Sequence, residues 1–193
     1  MQESAKGMSP ITMDPPKAST DRRSFNIIAL ILGVAVLAGF TVLPRLASSP
    51  SAMVGKPAPE FALPVIHNGE HGDRIKLSNL AGQAVVLSFW ASWCGPCRAE
   101  APSIDRLSRR LRDKGVTVIG VNTNDNPDAA IAFASQANLS YPIVSDQDGT
   151  VGESFGVSNL PTLVIVDKNG KISAVRSGLT DESSLESLAL AAR

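Results

Sequence analysis

Cys94 and Cys97, the two cysteines of this chain, are separated by two residues and stand between two segments of different pattern. Residues 84–90 form an almost wholly apolar run, which predicts a buried strand, and residues 98–113 show the spacing of a helix. The pair would therefore open a helix directly after a strand, where the unpaired N–H groups of the helix start favour a thiolate. A chain with this junction is expected to be an α/β protein with a redox dithiol.

The composition fits one globular domain with an appendage. The chain has 193 residues, of which 44% are hydrophobic and 19% charged, enough apolar content for a packed core. Its formal net charge is +0, so it lacks the basic surplus of a nucleic-acid binder, and we expect no nucleic-acid partner. The two cysteines are too few for a disulfide framework. We expect them to serve chemistry, with no cofactor beyond their own disulfide.

The N-terminal part of the chain predicts a membrane anchor. Residues 1–24 are polar and lack periodicity, which predicts a disordered tail, whereas residues 25–44 carry no charge and are long enough to cross a bilayer. Arg22 and Arg23 precede this stretch, so the positive-inside rule places the tail in the cytoplasm and the rest of the chain outside the membrane. Residues 45–53 are then a flexible linker.

Two other interpretations of residues 25–44 stay open. The stretch could be a cleaved secretory signal, although residues 1–24 are long for the region that precedes one. Arg22 and Arg23, followed by Ser24 and Phe25, also resemble a twin-arginine export signal. A buried core helix is disfavoured because the segment has no polar face.

Residues 54–193 alternate between strand and helix patterns. We predict strands over residues 74–77, 84–90, 116–121, 163–166 and 171–176, and helices over 98–113, 129–137 and from Thr180 onwards. Ile104, Leu107 and Leu111 share one face of the first helix. This order of elements predicts an α/β sandwich with a mixed sheet.

The position of the dithiol suggests a role for each residue in it. Cys94, at the helix start, is expected to be the attacking thiolate, and Cys97, one turn further in, the resolving thiol. Pro96 suits the first turn, where an N–H has no helical partner, and Gly95 leaves the approach to Cys94 open. Trp93 is expected to shape a surface on which partners dock.

Glu100 and Pro161 are the further candidates for the site. Glu100 lies three residues after Cys97 on the same side of the helix, where a partly buried carboxylate would have a raised pKa and could exchange a proton with Cys97. An exposed helix charge is the alternative. Pro161 opens a core strand, which indicates an edge strand or a cis peptide bond. We expect Leu160 and Thr162, beside Pro161, to complete the docking surface.

The segment FWASWCGPCRAEAP, residues 89–102, resembles the thioredoxin superfamily and is similar to its TlpA/ResA-type branch. The segment GKPAPEF, residues 55–61, resembles the opening shared by that branch and the peroxiredoxins. The resemblance covers residues 54–193. It implies a thioredoxin fold with additional N-terminal strands, preceded by one transmembrane helix of the bacterial inner membrane, and a thiol:disulfide oxidoreductase facing the periplasm. It also implies that Pro161 is the cis-proline facing the dithiol and Glu100 the active-site acid.

Two positions depart from the family pattern. Ser88 stands six residues before Cys94, where thioredoxins carry a buried Asp, so proton handling would fall to Glu100 or to water. Thr162 follows Pro161, where the similar reductases of cytochrome c maturation usually have Glu. The substrate therefore stays open.

The leading hypothesis is a protein-disulfide reductase. It would receive electrons from a transmembrane thiol carrier and pass them to disulfides of exported proteins, including apocytochrome c or the cysteines of copper-centre assembly. The Cys-Gly-Pro-Cys sequence matches thioredoxin, whose reduction potential is about −270 mV.

Three alternatives use the same residues differently. A peroxidase is suggested by the shared opening segment, but no Pro-x-x-x-Thr-x-x-Cys loop precedes either cysteine. A Cu(I) carrier could use the two thiolates alone. A zinc site would need His67 and His71 as well, and two surface histidines are the simpler interpretation of that pair.

Overall fold

The computed structural model describes residues 26–27, 30–32, 50–70 and 72–193. Residues 26–27 and 30–32 are helical. Within the described residues, no helix combines the length and the apolar character that crossing a membrane requires. The predicted tail over residues 1–24 and most of the predicted anchor over residues 25–44 lie outside the described residues. The dithiol belongs to the structural unit Ser48–Arg193.

Strands and helices alternate along this unit. The strands are β1 (Ala62–His67), β2 (Arg74–Lys76), β3 (Ala84–Trp90), β4 (Val116–Thr123), β5 (Ile143–Asp146), β6 (Thr162–Val166) and β7 (Ile172–Ser177). The helices are α1 (Gly95–Leu111), α2 (Pro127–Gln136), α3 (Thr150–Ser154) and α4 (Glu182–Ala191). Short 3-10 helices cover Pro50–Met53, Leu77–Leu80 and Arg112–Lys114.

The seven strands form one mixed sheet in the order β2-β1-β5-β4-β3-β6-β7. Strands β3, β4 and β5 run parallel, whereas β6 is antiparallel to β3 and β7 is antiparallel to β6. Strand β1 pairs antiparallel with β5 and with β2. The sheet confirms the predicted thioredoxin-like α/β fold, and β1 and β2 are the additional N-terminal strands that the resemblance implies.

Strand β3 lies inside the sheet, and all seven of its residues are buried. Its alternate side chains enter two separate hydrophobic clusters, one on each face of the sheet. The first cluster includes Ile104, Leu107 and Leu111 of α1, the face predicted from the sequence, together with residues of α2 and α4. The second cluster contains Phe61 and Phe155. Burial on both faces explains the nearly continuous apolar run of β3.

Helix α4 is joined to α1 by ion pairs as well as by apolar contacts. Arg106 and Arg110 of α1 pair with Glu182, and Arg110 and Lys114 pair with Glu186. These side chains are partly exposed and screened by solvent, so each pair contributes little alone. Together they link α1 to α4, whose preceding loop reaches the candidate site.

Several boundaries differ from the sequence prediction. The sequence pattern does not predict β1, β5 or α3, which are short or only partly buried. Helix α1 begins at Gly95 rather than at residue 98, because the Cys94 side chain caps it. The end of the predicted linker is structured, since Pro50–Met53 forms a 3-10 helix.

Replacing Phe155 by Ala should destabilise the protein by about 3–5 kcal/mol, because it empties a volume among large neighbours. Phe155 is fully buried, and its ring centroid lies 5.6 Å from that of Phe89 and 6.3 Å from that of Phe61. Urea unfolding of the variant and the parent protein measures the difference. Ile131→Ala, at a side chain that is 36% exposed, is the control and should cost much less. Equal losses for both variants would contradict the proposed core.

Candidate active site

The candidate site begins where β3 ends and α1 starts. The turn between them closes with a hydrogen bond from the Cys94 N–H to the Ala91 carbonyl, 3.1 Å long. Cys94 is the N-cap of α1, and its Sγ accepts a hydrogen bond from the Cys97 N–H at 3.2 Å. The first sulfur of the pair therefore occupies the position where a helix has unpaired donors and the positive end of its dipole.

Cys94 and Cys97 form a disulfide with an S–S distance of 2.00 Å. Both residues are buried, with exposed fractions of 5% and 2%, whereas Gly95 and Pro96 between them are exposed. After reduction, the same Cys97 N–H and helix start favour the thiolate of Cys94. The arrangement thus supports a nucleophilic sulfur at the start of α1, next to the exposed Gly95 and Pro96, and a resolving sulfur one turn further along the helix.

Trp93 directly precedes Cys94, and its side chain lies at the surface. Its side chain is 66% exposed, and its indole Nε1 donates to the Asn124 carbonyl at 3.1 Å. The bond fixes the ring although the ring faces solvent. Trp90, by contrast, is buried and packs against Phe133 with ring centroids 5.4 Å apart, so it belongs to the core.

The Leu160–Pro161 peptide bond is cis. Thr162 pairs with Phe89 near the end of β3, so Pro161 lies beside the end of the strand from which the dithiol turn departs. Pro161 is buried and Leu160 half-buried.

One predicted docking residue does not reach the surface. Thr162 is fully buried, and its hydroxyl donates to the Asn159 carbonyl at 2.8 Å. Its side chain therefore supports the loop before β6 and is not available to a partner. Trp93, Gly95 and Pro96 are exposed, and they remain the candidates for direct contact along with Leu160.

Glu100 is a buried carboxyl one turn beyond Cys97 in α1, and only 5% of it is exposed. Burial raises the pKa of Glu100, and the hydrogen bond from the Thr180 N–H, 2.9 Å long, opposes this shift without cancelling it. The alternative of an exposed helix charge is thus wrong. A carboxyl with a raised pKa can accept or donate a proton closer to neutral pH than an ordinary Glu.

Ser88, six residues before Cys94, is buried in β3 between Gly120 and Leu163 of the adjacent strands. Its hydroxyl has no ionisable function at ordinary pH. The proton of the resolving thiol therefore has Glu100 or water as its partner, and this role of Glu100 stays a prediction.

Sequence reasoning missed Leu179, in the loop between β7 and α4. It is 67% exposed, which is common for a single surface Leu, so its link to the site rests on the contacts of its loop. Its neighbours tie the loop to the site: the Gly178 N–H donates to the Pro161 carbonyl at 2.8 Å, and the Thr180 N–H donates to Glu100. A solitary Leu between a strand and a helix gives no signal of this placement in the sequence.

Of the two histidines in the zinc alternative, the structure describes His67 alone. The His67 Nε2 is hydrogen-bonded to the Leu139 carbonyl at 2.9 Å. His71 lies outside the described residues. Within the described part of the chain, no group of three or more His, Cys, Asp or Glu side chains could hold a metal ion.

The fold and the Cys-Gly-Pro-Cys disulfide at the start of α1 define a thiol-disulfide oxidoreductase of the thioredoxin type. Residues 54–175 match the model of the AhpC/TSA family. The chain is 34% identical to the thiol-disulfide oxidoreductase ResA of Bacillus cereus over 161 residues, which cover 83% of this chain and 90% of that protein. This chain belongs to the AhpC/TSA family and catalyses thiol:disulfide interchange.

Solved structures agree with this assignment. A protein of Chlorobium tepidum described as thiol:disulfide interchange protein DsbE superimposes with a TM-score of 0.66 at 35% identity, covering 72% of this chain and 96% of that one. A secreted thiol-disulfide isomerase of Corynebacterium glutamicum gives a TM-score of 0.64 at 29% identity, covering 69% of this chain and 83% of that one.

Replacing Glu100 by Gln should stabilise the protein at neutral pH. Because burial raises the pKa of Glu100 in the folded state, the charged form disfavours folding. This penalty is absent below the pKa of the unfolded chain and grows as the pH rises through the folded pKa. Gln keeps a side-chain oxygen that can accept the hydrogen bond from the Thr180 N–H. Urea unfolding at about pH 7.5 and below about pH 4 should therefore show a gain only at the higher pH.

Glu153→Gln is the control for this prediction, because Glu153 is an exposed carboxyl. It should change the free energy of unfolding little at either pH. A gain from Glu100→Gln that is the same at both pH values would show that charge burial is not its cause.

Proposed function

We propose that this protein is a reductase of protein disulfides outside the cytoplasmic membrane, anchored by a helix over residues 25–44. The single observation that carries the proposal is the Cys-Gly-Pro-Cys pair, whose first sulfur caps α1 and whose second lies one turn from the buried Glu100. The Cys94 thiolate is stabilised by this position, so the reduced dithiol is a ready nucleophile.

The reaction transfers two electrons in two exchanges. The Cys94 thiolate attacks one sulfur of the substrate disulfide, that S–S bond breaks, and the other substrate sulfur leaves as a thiolate. Cys97, after losing its proton, attacks the Cys94 Sγ in the mixed disulfide and releases the second substrate thiol. The substrate is then a dithiol and the enzyme holds the Cys94–Cys97 disulfide. Glu100, directly or through water, takes the proton of Cys97.

Each turnover leaves the enzyme oxidised, so a donor must reduce it again. Compartments outside the cytoplasmic membrane are oxidising, and a reductase there requires a dedicated supply of electrons. We propose a transmembrane thiol carrier as that donor. The anchor over residues 25–44 would keep the dithiol near it.

Partners would dock on an apolar rim around the disulfide. Trp93 and Leu179 are 66% and 67% exposed, and the half-buried Leu160 lies in the loop before β6. These side chains lie on loops at the same edge of the sheet as the disulfide, where a docked partner would bury them. The proposed substrates are disulfides of exported proteins, with apocytochrome c and the cysteines of copper-centre assembly as the two classes to test.

The extracytoplasmic location is supported by likeness to a secreted protein. That protein is the Corynebacterium glutamicum isomerase, which shares the fold at 29% identity. The polar tail over residues 1–24, with Arg22 and Arg23 at its end, gives the proposed orientation.

The reduction potential of the purified protein tests the direction of the reaction. Equilibration in thiol redox buffers, followed by alkylation of free cysteines, gives the fraction of reduced Cys94–Cys97 pair. We expect a value near or below about −230 mV, which suits a reductase supplied by a membrane donor. A value near about −120 mV would identify an oxidant that introduces disulfides and would overturn the proposed direction.

Replacing either cysteine should separate the two exchanges. Cys94→Ala should abolish reduction of insulin disulfides, because the attacking sulfur is gone. Cys97→Ala should also lose turnover but accumulate a mixed disulfide with the substrate, which a non-reducing gel detects. Normal insulin reduction by the Cys94→Ala variant would contradict the mechanism.

A further inference from the structure

Asp125, in the loop between β4 and α2, receives four hydrogen bonds. Its Oδ2 accepts from the Ser92 N–H at 2.5 Å and from the Asn122 Nδ2 at 2.8 Å. Its Oδ1 accepts from the Ser92 hydroxyl at 2.9 Å and from the Asn126 N–H at 2.8 Å. One of these bonds comes from Asn122 of β4 and one from the next residue, Asn126, and the other two hold Ser92, two residues before Cys94.

The turn that presents Cys94 is therefore held by hydrogen bonds from a neighbouring loop as well as by one within the turn itself. Inside the turn, the Cys94 N–H donates to the Ala91 carbonyl. Outside it, Asp125 holds both donors of Ser92, and the neighbouring Asn124 carbonyl holds the indole of Trp93. A single loop thus contacts both residues that lead into the dithiol.

The carboxylate itself is held by a rigid part of the fold. Asn122 is fully buried near the end of β4 and pairs with Trp90, the last residue of β3. Its amide donates to Asp125, so the position of the carboxylate is set by the central strands of the sheet. Hydrogen bonds to a charged acceptor are stronger than neutral ones, and this carboxylate bridges two loops that the sheet ends bring together.

We propose that Asp125 is a positioning residue for thiol-disulfide exchange, which acts through Ser92 to hold Cys94 and Trp93 in the geometry that a docked protein disulfide requires. In-line attack of one sulfur on another depends on alignment, and small misplacements of a reacting group reduce rates strongly. A small reagent that approaches freely needs no such alignment. The inference requires only exchange in either direction, so its failure would leave the proposed reductase function untouched.

The test measures second-order rate constants of exchange in both directions. In one direction the reduced protein reacts with a peptide that contains one internal disulfide, and in the other the oxidised protein reacts with the reduced peptide. Asp125→Ala should lower both rate constants by about tenfold, because Ser92 loses both acceptors. Asp125→Asn keeps one acceptor oxygen and should recover most of the loss. The rate of Cys94 alkylation by iodoacetamide at high pH should stay at the parent value in every variant.

Asp128→Asn is the matched control, because Asp128 is an exposed carboxyl three residues further along the same segment. It should leave all rate constants unchanged. Adding Ser92→Ala to Asp125→Ala should cause little further loss, since the two side chains act through one contact. Thermal unfolding confirms that each protein is folded at the assay temperature.

Three results would overturn the inference. The first is an exchange rate of Asp125→Ala within twofold of the parent protein. The second is an equal loss in Asp128→Asn, which would indicate a general effect of charge. The third is a fall in iodoacetamide alkylation that matches the fall in exchange, since the intrinsic reactivity of Cys94 would then have changed rather than its placement.

Discussion

The hydrogen bond from the Cys97 N–H to the Cys94 Sγ is the contact on which the rest of the site depends. It makes a sulfur the cap of α1, so the reactive atom and the start of the helix are fixed by one interaction. The bond also explains why α1 begins at Gly95, before any helical periodicity appears in the sequence. An alanine at position 94 would leave the helix without this cap as well as without its nucleophile.

The topology of the sheet brings the other parts of the site to this cap. Strands β3 and β4 are parallel, so the turn before Cys94 and the loop with Asp125 leave the same edge of the sheet. Strand β6 is antiparallel to β3 and begins at that edge directly after Pro161, and β7 ends there directly before the loop of Leu179. Four loops from distant parts of the chain therefore meet around one disulfide.

The sequence predicts the parts of this arrangement that depend on local pattern. The continuous burial of β3 and the shared face of Ile104 and Leu107 follow from the periodicity of the apolar residues. Strand β5 is only four residues long, so it offers too little pattern to predict. Leu179 and Asp125 owe their places to strand pairing, which a single sequence does not reveal.

The disulfide joins two residues that are close in the sequence, and this limits how much the stability of the fold depends on it. Cys94 and Cys97 are three positions apart, so the bond closes a very small loop and restricts the unfolded chain far less than a long-range cross-link does. The fold rests on the two hydrophobic clusters, each built from strands and segments far from one another in the chain. The cross-link itself therefore contributes little to conformational stability, and the scaffold does not depend on the bond that each turnover opens and closes.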